Sequence, residues 1–316
     1  MKNKIPILLI THDRPYLLGK VLDRLIKFTD WNEFELWICS NSSTISNQKI
    51  IKAYKSKFPF INVFHQEVNQ VALIQNSLIE KLRRDIYIKL DDDIFVTDNW
   101  SKSFLNVYER NYTNISIGSV IIPINGFGWT IFLKIMNLEE DFILRFPDVK
   151  LIQGCTEPAI WDNPEVNEYF WSKCLDLDST AKHFLKSQKS YKDYEVPYRY
   201  SIGGIIFSHE FWEKMNGWKV SEEFSKGLRN YKLLSKVNKK IANLRGKPEQ
   251  KRVQQLIKLF TGMETSELGY DEQSLFTFSQ ENGYKQYVTT ENIIFHFAFG
   301  PTEEYLIKKV FLDIKF

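Results

Sequence analysis

The sequence lacks any long apolar run and has only three cysteines among its 316 residues. No stretch approaches the roughly 20 apolar residues that a membrane-spanning helix needs, and the apolar run at residues 5–10 is too short for a signal peptide. The cysteines are odd in number and lack the spacing of a metal site. These features fit a chain without disulfides in a reducing compartment, so we expect a cytoplasmic protein.

The formal net charge of +3 conceals an uneven distribution. Residues 226–258 contain eight Lys and three Arg against one acid, which makes the segment +10 and the rest of the chain −7. Two interpretations stay open: a pair of solvated surface helices, or a contact surface for an anionic partner such as phospholipid headgroups, with the protein peripheral at the inner face of a membrane. Apart from Tyr231 the segment has no interleaved aromatics, and we expect no nucleic-acid partner.

Apolar runs and helical patterns alternate through the first half of the chain. In order they predict a strand at 5–10, a helix from Pro15, a strand at 34–39, a helix at 46–54, a strand at 61–65, a helix at 72–82 and a strand at 86–90. This alternation predicts an α/β fold with a mainly parallel sheet and helices on both faces. Ligands of such sheets bind beyond the carboxyl ends of the strands, so the polar segments 11–14, 40–44 and 91–93 should line one crevice.

The second half is less regular. Its patterns predict helices at 127–145, 210–215, 271–281 and 302–310, a strand that follows Gly203-Gly204, and a last strand at 293–299 that contains His296.

Three aspartates at positions 91–93 follow directly on the predicted strand 86–90. Each pair of like charges costs about 2–3 kcal/mol at ~6 Å and an effective dielectric of about 20. If the extended conformation continues, Asp91 and Asp93 point to one side of the sheet and Asp92 to the other. Because hard oxygen ligands suit Mg²⁺ or Mn²⁺, the motif predicts a divalent metal site.

Several motifs occur in a fixed order along the chain. They are Thr11-His12-Asp13-Arg14-Pro15, Cys39-Ser40-Asn41-Ser42-Ser43, Asn69 with Gln75-Asn76, Leu90-Asp91-Asp92-Asp93, Ile202-Gly203-Gly204, and Asp271-Glu272 with Gly283-Tyr284. In this order and spacing they resemble the nucleotide-sugar-dependent glycosyltransferases of the GT-A fold, most closely glycosyltransferase family 2. The resemblance covers roughly residues 5–125 and 200–300.

The resemblance implies transfer of a sugar from a nucleotide-diphosphate sugar to a hydroxyl group of a glycan or lipid-linked acceptor, with a metal ion and with inversion. It also implies one GT-A domain in two halves. Residues 1–125 would bind the nucleotide sugar and residues 126–316 the acceptor, with a basic helical insertion at about 226–260.

The resemblance assigns expected roles to particular residues. Metal ligands would be Asp91, Asp93 and His296, although His296 could instead be a core histidine. Contacts to the nucleotide sugar would come from Thr11, Asp13, Arg14, Ser40, Asn41, Gln75, Asn76, Asp91 and Asp92. The catalytic base would be Glu272 or Asp271, although acids at the start of a helix also serve as caps. Aromatic candidates for the acceptor site are Trp161, Trp171, Tyr198 and Trp218.

Two positions depart from the family pattern. Ser40 stands where the family usually has an aspartate that reads the base, and the acidic pair Asp271-Glu272 is reversed.

Three alternatives compete with glycosyl transfer. A sugar nucleotidyltransferase would carry a Gly-rich loop after the first strand, where this chain has no glycine until Gly19. A phosphatase would place its aspartates after the first strand, and a non-catalytic sugar-binding module would have no need of the acidic positions.

Overall fold

A computed structural model describes residues 3–67, 69–123, 126–151, 163–200, 203–219, 270–298 and 300–316. The basic segment 226–258, the whole predicted insertion 226–260 and Trp161 lie outside these residues. The boundary predicted near residue 125 falls at residues 124–125, which also lie outside them. No helix in the described ranges is long and apolar enough to cross a membrane.

The described residues form strands and helices in the following order. The first half contains β1 (Ile5–Thr11), α1 (Pro15–Phe28), β2 (Phe34–Asn41), α2 (Ile45–Lys57), β3 (Ile61–Gln66), α3 (Val71–Leu82), β4 (Ile86–Asp91), β5 (Ile94–Phe95), α4 (Trp100–Arg110) and β6 (Ile115–Ile121). The second half contains α5 (Gly126–Ile135), α6 (Glu139–Arg145), α7 (Pro164–Ser172), α8 (Leu177–Lys186), β7 (Asp193–Glu195), β8 (Gly204–Ser208), α9 (His209–Lys214), α10 (Tyr270–Glu281), β9 (Lys285–Ile293), β10 (Phe295–His296) and α11 (Gly300–Lys309).

Eight strands form one mixed, mainly parallel sheet in the order β3-β2-β1-β4-β8-β6-β9-β7. Strands β1 to β4 are parallel, β8 is antiparallel to both β4 and β6, and β9 is parallel to β6. Six strands therefore run in one direction, with β7 and β8 reversed. This arrangement confirms the predicted α/β class.

Apolar side chains on both faces of the sheet explain why the strands are buried. One cluster contains Ile7, Leu9 and the inner face of α1, and the other contains Leu8, Ile10 and the inner face of α3. The alternation along β1 sends successive side chains to opposite faces, and helices cover each face. Burial of each such side chain contributes about 1.5–3 kcal/mol.

Two predicted elements in the second half differ from the structure. The helix predicted at 127–145 is two helices, α5 and α6, because Asn137 takes a left-handed conformation (φ 57°) between them. The strand predicted at 293–299 is also wrong. Strand β9 ends at Ile293, and the two-residue strand β10 that follows leaves the main sheet and pairs antiparallel with β5.

Candidate active site

The polar ends of β1, β2 and β4 lie side by side at one edge of the sheet. Thr11 is paired with Ser40 across β1 and β2, and Ile10 is paired with Asp91 across β1 and β4. Because these strands are parallel, their carboxyl ends share this edge, as the sequence predicts. We call this edge with its loops the carboxyl edge.

The aspartate triplet does not continue the strand. Strand β4 ends at Asp91, and Asp92 and Asp93 form a turn before β5. The expectation that Asp91 and Asp93 share one side, with Asp92 on the other, is therefore wrong. In the turn, Asp92 and Asp93 share a partner, since Arg14 Nη1 lies 3.5 Å from Asp92 Oδ1 and 2.5 Å from Asp93 Oδ2.

Asp93 is the most enclosed of the three carboxylates, with 1% of its surface exposed. Its Oδ2 accepts a hydrogen bond from Arg14, and its Oδ1 lies 3.2 Å from His296 Nε2. Burial by itself would raise the pKa of Asp93, but the attraction of His296 and Arg14 outweighs burial and lowers this pKa to about 2. Asp93 is therefore ionised near neutral pH.

Asp92 is also buried, but its negative charge is less well balanced by nearby cations. Its Oδ2 accepts a hydrogen bond of 2.6 Å from Thr11 Oγ1, and Thr11 in turn accepts one from Asn47. Burial raises the pKa of Asp92 to about 7, because the attraction of Arg14 only partly offsets the loss of solvation. Thr11 thus holds Asp92 in place.

Asp91 turns towards a cation within its own strand. Lys89 Nζ lies 2.6 Å from Asp91 Oδ1, and the Lys89 side chain is buried while the Asp91 side chain is one-third exposed. Residues two apart on a strand point to the same face, which brings this pair together. Asp91 is thus the aspartate of the triplet that faces solvent.

The two-residue strands β5 and β10 place His296 beside Asp93. His296 pairs with Ile94, and the Phe297 backbone N–H donates to the Asp93 carbonyl at 2.9 Å. In the part of the chain that the structure describes, no group of three or more His, Cys, Asp or Glu side chains is arranged to hold a metal ion. Asp91, Asp93 and His296 are therefore not assembled as a three-ligand set.

Asp93 and His296 nevertheless fit a divalent ion as a pair. Neighbouring ligands of an octahedral Mg²⁺ or Mn²⁺ ion, at about 2.1 Å from the metal, lie about 3 Å apart. The carboxylate oxygen and imidazole nitrogen are separated by 3.2 Å, and both are donor types that Mn²⁺ accepts. The residues present can therefore contribute two adjacent ligands.

Arg14 lies at the acidic turn, where its guanidinium contacts Asp92 and Asp93. Its Nη2 also contacts Glu303 Oε2 of α11 at 3.0 Å. Tyr16 donates a hydrogen bond to the other Glu303 oxygen. The sequence reasoning missed Glu303 because no motif marks it. Asp13 lies in the same loop between β1 and α1.

The end of β2 is a network of polar side chains. Ser40 Oγ lies 3.1 Å from His65 Nδ1 on β3, and Ser40 is buried while His65 is exposed. Asn41 donates to Asn69 Oδ1 at 2.8 Å and accepts from the Gln70 backbone N–H at 2.9 Å. Asn41 therefore shapes the loop after β3, and the exposed His65 is a neighbour of Ser40 that the sequence reasoning missed.

Helix α3 carries the predicted pair Gln75 and Asn76, which differ in their surroundings. Gln75 is buried and donates to the Val71 carbonyl. Asn76 accepts from Trp212 Nε1 at 3.0 Å and from the Trp218 backbone N–H at 2.8 Å, and it donates to the Trp218 carbonyl. Both polar atoms of Asn76 are thus engaged in joining α3 to α9 and to the segment after it.

Helix α10 brings Glu272 to the carboxyl edge. The helix ends just before Lys285, where β9 begins, and β9 is parallel to β6. The last turn of α10 therefore lies at the end of the sheet where β9 begins. The first turn of α10 lies at the other end, which is the carboxyl edge. Glu272 Oε2 is 3.8 Å from Arg199 Nε, and the side chain of Asp271 lies outside the described residues.

Two of the aromatic candidates for an acceptor site belong to the core. Trp171 is fully buried and donates to the Phe297 carbonyl, and Trp218 is 2% exposed. Neither can offer a ring face to a sugar in this structure. Tyr198 is partly buried.

The main sheet is mixed and mainly parallel, with an acidic turn after β4, and the small sheet of β5 and β10 places His296 beside that turn. These features define a GT-A type of α/β fold. Residues 7–159 match the family model described as glycosyl transferase family 2. This match, over just under half of the chain, confirms the sequence-based resemblance to glycosyltransferase family 2.

Solved structures also resemble the chain, at low identity. The mannosyltransferase PcManGT from Pyrobaculum calidifontis, in complex with GDP-Man and Mn²⁺, is 11% identical and has a TM-score of 0.38, with 69% of this chain and 48% of that chain covered. TarS from S. aureus (residues 1–349), solved in complex with UDP-GlcNAc, is 16% identical with a TM-score of 0.33, over 38% of this chain and 34% of that one. The chain thus spans half or less of the length of these proteins. A search of curated proteins finds no match.

Proposed function

We propose that this protein transfers a sugar from a nucleotide-diphosphate sugar to a hydroxyl group of an acceptor. One observation carries the proposal: Asp93, within the family 2 region, lies 3.2 Å from His296 at the carboxyl edge. The polar ends of β1 and β2 meet at the same edge. This is where parallel α/β sheets bind their ligands.

The leaving group of this reaction is a nucleoside diphosphate, whose charge must be neutralised as the glycosidic bond breaks. We propose that Asp93 and His296, with Asp91 acting through water, hold Mn²⁺ or Mg²⁺ for this purpose. When bound, the ion supplies Lewis-acid stabilisation of the departing phosphates. Asp93 suits this role because its lowered pKa keeps it ionised.

The nucleotide is proposed to lie over the loops that follow β1 and β2. Ser40 is paired with the exposed imidazole of His65. A hydroxyl and an imidazole can each donate or accept a hydrogen bond, whereas the aspartate that the family usually has at this position only accepts. Thr11 and Asn41 support this site indirectly, because their side chains hold Asp92 and the loop after β3. Asp13 remains a candidate contact in the same loop.

Glu272 is the proposed base that takes the proton from the acceptor hydroxyl, and Asp271 is the alternative. Glu272 stands in the first turn of α10 at the carboxyl edge. In-line attack by an activated hydroxyl would invert the anomeric centre. Glu272→Gln should lower kcat with little change in the donor KM, whereas equal turnover in the wild type and the variant would assign the base elsewhere.

The acceptor is proposed to be a glycan or a lipid-linked saccharide of a polysaccharide pathway. The support is the basic composition of residues 226–258, which suits an anionic lipid surface. A cytoplasmic protein that contacts the inner face of a membrane would fit this acceptor. Binding to vesicles with and without anionic lipid tests this part independently of catalysis.

Donor hydrolysis and binding over a panel of nucleotide sugars, with Mn²⁺ or with EDTA, test the reaction. We expect one donor to be hydrolysed with Mn²⁺ and the activity to be lost in Asp93→Ala. Activity that survives both EDTA and this substitution would exclude the proposed metal chemistry. Transfer of a nucleotidyl group to a sugar phosphate would instead identify a sugar nucleotidyltransferase.

A non-catalytic sugar-binding module is a second candidate, favoured by the protein cations at the acidic turn. Lys89 pairs with Asp91, and Arg14 pairs with Asp93. The carboxylates are thus compensated without a metal ion. Binding of a nucleotide sugar that is unaffected by EDTA, together with no hydrolysis or transfer, would establish this candidate.

A further inference from the structure

Arg14 joins the acidic turn to helix α11 near the end of the chain. Its Nη1 contacts Asp92 and Asp93, and its Nη2 contacts Glu303 at 3.0 Å. The planar fork of an arginine can engage two carboxylates at once, which a lysine ammonium cannot do in the same geometry. Arg14 is therefore shared between the proposed metal ligand and a carboxylate of another element.

A divalent ion on Asp93 would compete with Arg14 for the same carboxylate. Asp93 is 1% exposed, and its two oxygens face Arg14 and His296. Two cations on one enclosed carboxylate repel each other strongly because water screens them poorly. The bound ion would therefore lie beside Oδ1 and repel the guanidinium on Oδ2, which favours a shift of Arg14 away from Asp93.

Glu303 is held where it can receive that guanidinium. Tyr16 donates a hydrogen bond to Glu303, and burial together with this carboxylate raises the pKa of Tyr16, so the phenol stays a donor. Helix α11 is fixed on the protein by the fully buried Leu306 and by a hydrogen bond from Tyr305 to Glu168 of α7. Glu303 is thus a fixed acceptor 3.0 Å from Arg14 Nη2.

We propose that Glu303 is a positioning residue that acts through Arg14: it retains the guanidinium when a divalent cation takes Asp93, and so favours binding of that cation. The inference rests on the proposed metal site and concerns a residue outside it. Without Glu303, the guanidinium of Arg14 keeps only the carboxylates of Asp92 and Asp93 as partners. Its positive charge then stays closer to Asp93 and repels the metal ion more strongly.

A double-mutant cycle on Mn²⁺ affinity tests the inference without any activity assay. The full chain is titrated with MnCl₂ in the absence of nucleotide, and free Mn²⁺ is measured by electron paramagnetic resonance. The variants are Glu303→Gln, Arg14→Gln and the double variant. Glu304→Gln is the matched control, because it removes the same charge one residue away on a side chain that is 84% exposed.

Glu303→Gln should weaken Mn²⁺ binding about fivefold, and Arg14→Gln should strengthen it about tenfold, as expected for coupled charged sites. When Arg14 is already Gln, Glu303→Gln should change the Mn²⁺ affinity less than about twofold, because only screened charge effects remain. The control Glu304→Gln should have an equally small effect whether or not Arg14 is present. Arg14→Lys keeps the charge but lacks the fork, and it should also abolish the effect of Glu303→Gln.

Two results overturn the inference in distinguishable ways. If the wild type does not bind Mn²⁺, the proposed metal site and the inference both fail. If the wild type binds Mn²⁺ and Glu303→Gln weakens binding equally with and without Arg14, the inference alone fails. Circular dichroism identifies any misfolded variant, and the Arg14→Lys arm then decides the outcome.

Discussion

Asparagine substitutions at Asp92 and Asp93 should shift stability in opposite directions, although the two residues are adjacent and both buried. The pKa of Asp92 is raised from 3.8 to about 7, mainly by burial. The pKa of Asp93 is lowered to about 2, because His296 and Arg14 outweigh the burial that would raise it. The ionised form of Asp92 thus destabilises the folded state at pH 8, whereas that of Asp93 stabilises it.

The shift at Asp92 corresponds to roughly 4 kcal/mol against its ionised form, at about 1.4 kcal/mol per pKa unit. In Asp92→Asn the neutral amide would remove this cost and still accept from Thr11, but its buried N–H groups would cost about 1–3 kcal/mol if unpaired. Asp92→Asn should therefore raise the free energy of unfolding by about 1–3 kcal/mol at pH 8. By the same conversion Asp93→Asn should lower it by about 2 kcal/mol.

The two effects should also differ in their dependence on pH. Because the pKa of Asp92 is raised in the folded state, its contribution to stability is present below pH 3.8 and is lost as the pH rises through about 7. The advantage of Asp92→Asn should therefore shrink from pH 7 to pH 4. A lowered pKa contributes stability that is present above pH 3.8 and lost as the pH falls through about 2. The penalty of Asp93→Asn should thus be constant from pH 8 to pH 5.

Urea unfolding followed by tryptophan fluorescence at pH 8, 6 and 5 measures both effects. Asp148→Asn is the control, because Asp148 is exposed and the same change of charge there should have little effect. Destabilisation by both substitutions at pH 8, or an Asp92→Asn effect that does not vary with pH, would refute the electrostatic assignment.

Three further predictions concern other parts of the molecule. Asp178→Asn should destabilise the protein by about 2–3 kcal/mol in urea, because Arg24 is buried and pairs with Asp178 at 2.5 Å. Lys27→Gln, which removes the exposed partner of Asp178, should cost less than about 1 kcal/mol, and equal costs would contradict the role of burial. Asn76→Ala should lower stability by about 2 kcal/mol, because Trp212 Nε1 loses its acceptor, and should leave nucleotide affinity unchanged by calorimetry; a large loss of affinity would return Asn76 to the nucleotide site. EDTA should abolish donor hydrolysis and leave the urea midpoint unchanged, whereas a lowered midpoint would indicate a structural metal.

The first half of the fold follows from local pattern. Strands β1 to β4 are apolar runs bounded by polar residues, and α1 has a clear apolar stripe, so periodicity separates most of the elements. The parallel arrangement then places the strand ends together, which is why the sequence correctly predicts Thr11, Ser40 and Asp91 at one edge.

Strand β9 shows why pattern fails in the second half. Its sequence is rich in polar residues, and Thr289, Thr290 and Asn292 are buried in it. Their polar groups bond to neighbouring elements, as when Asn292 donates to the Asp98 carbonyl at 2.8 Å. No hydropathy period marks such a strand, because tertiary hydrogen bonds replace apolar contacts as the reason for its burial.

The same limit applies to the candidate site. The sequence identifies the aspartates but suggests that the extended strand continues through them, whereas the chain turns after Asp91. It also does not connect the site with Glu303, because Tyr16 and Glu303 are 287 residues apart. Such contacts depend on how α11 docks, and no local propensity encodes that packing.

The repulsion among the three aspartates first suggests that a metal ion must relieve it. In the structure protein cations already do so, since Lys89 pairs with Asp91 and Arg14 pairs with Asp93. A fold that compensates its own carboxylates does not need a metal ion to form. At the proposed metal site, a bound ion would instead repel that cation, and its affinity would then depend on where the cation can go. For Arg14 the structure provides Glu303, so the properties of the acidic turn depend on a helix that follows it by about two hundred residues in the sequence.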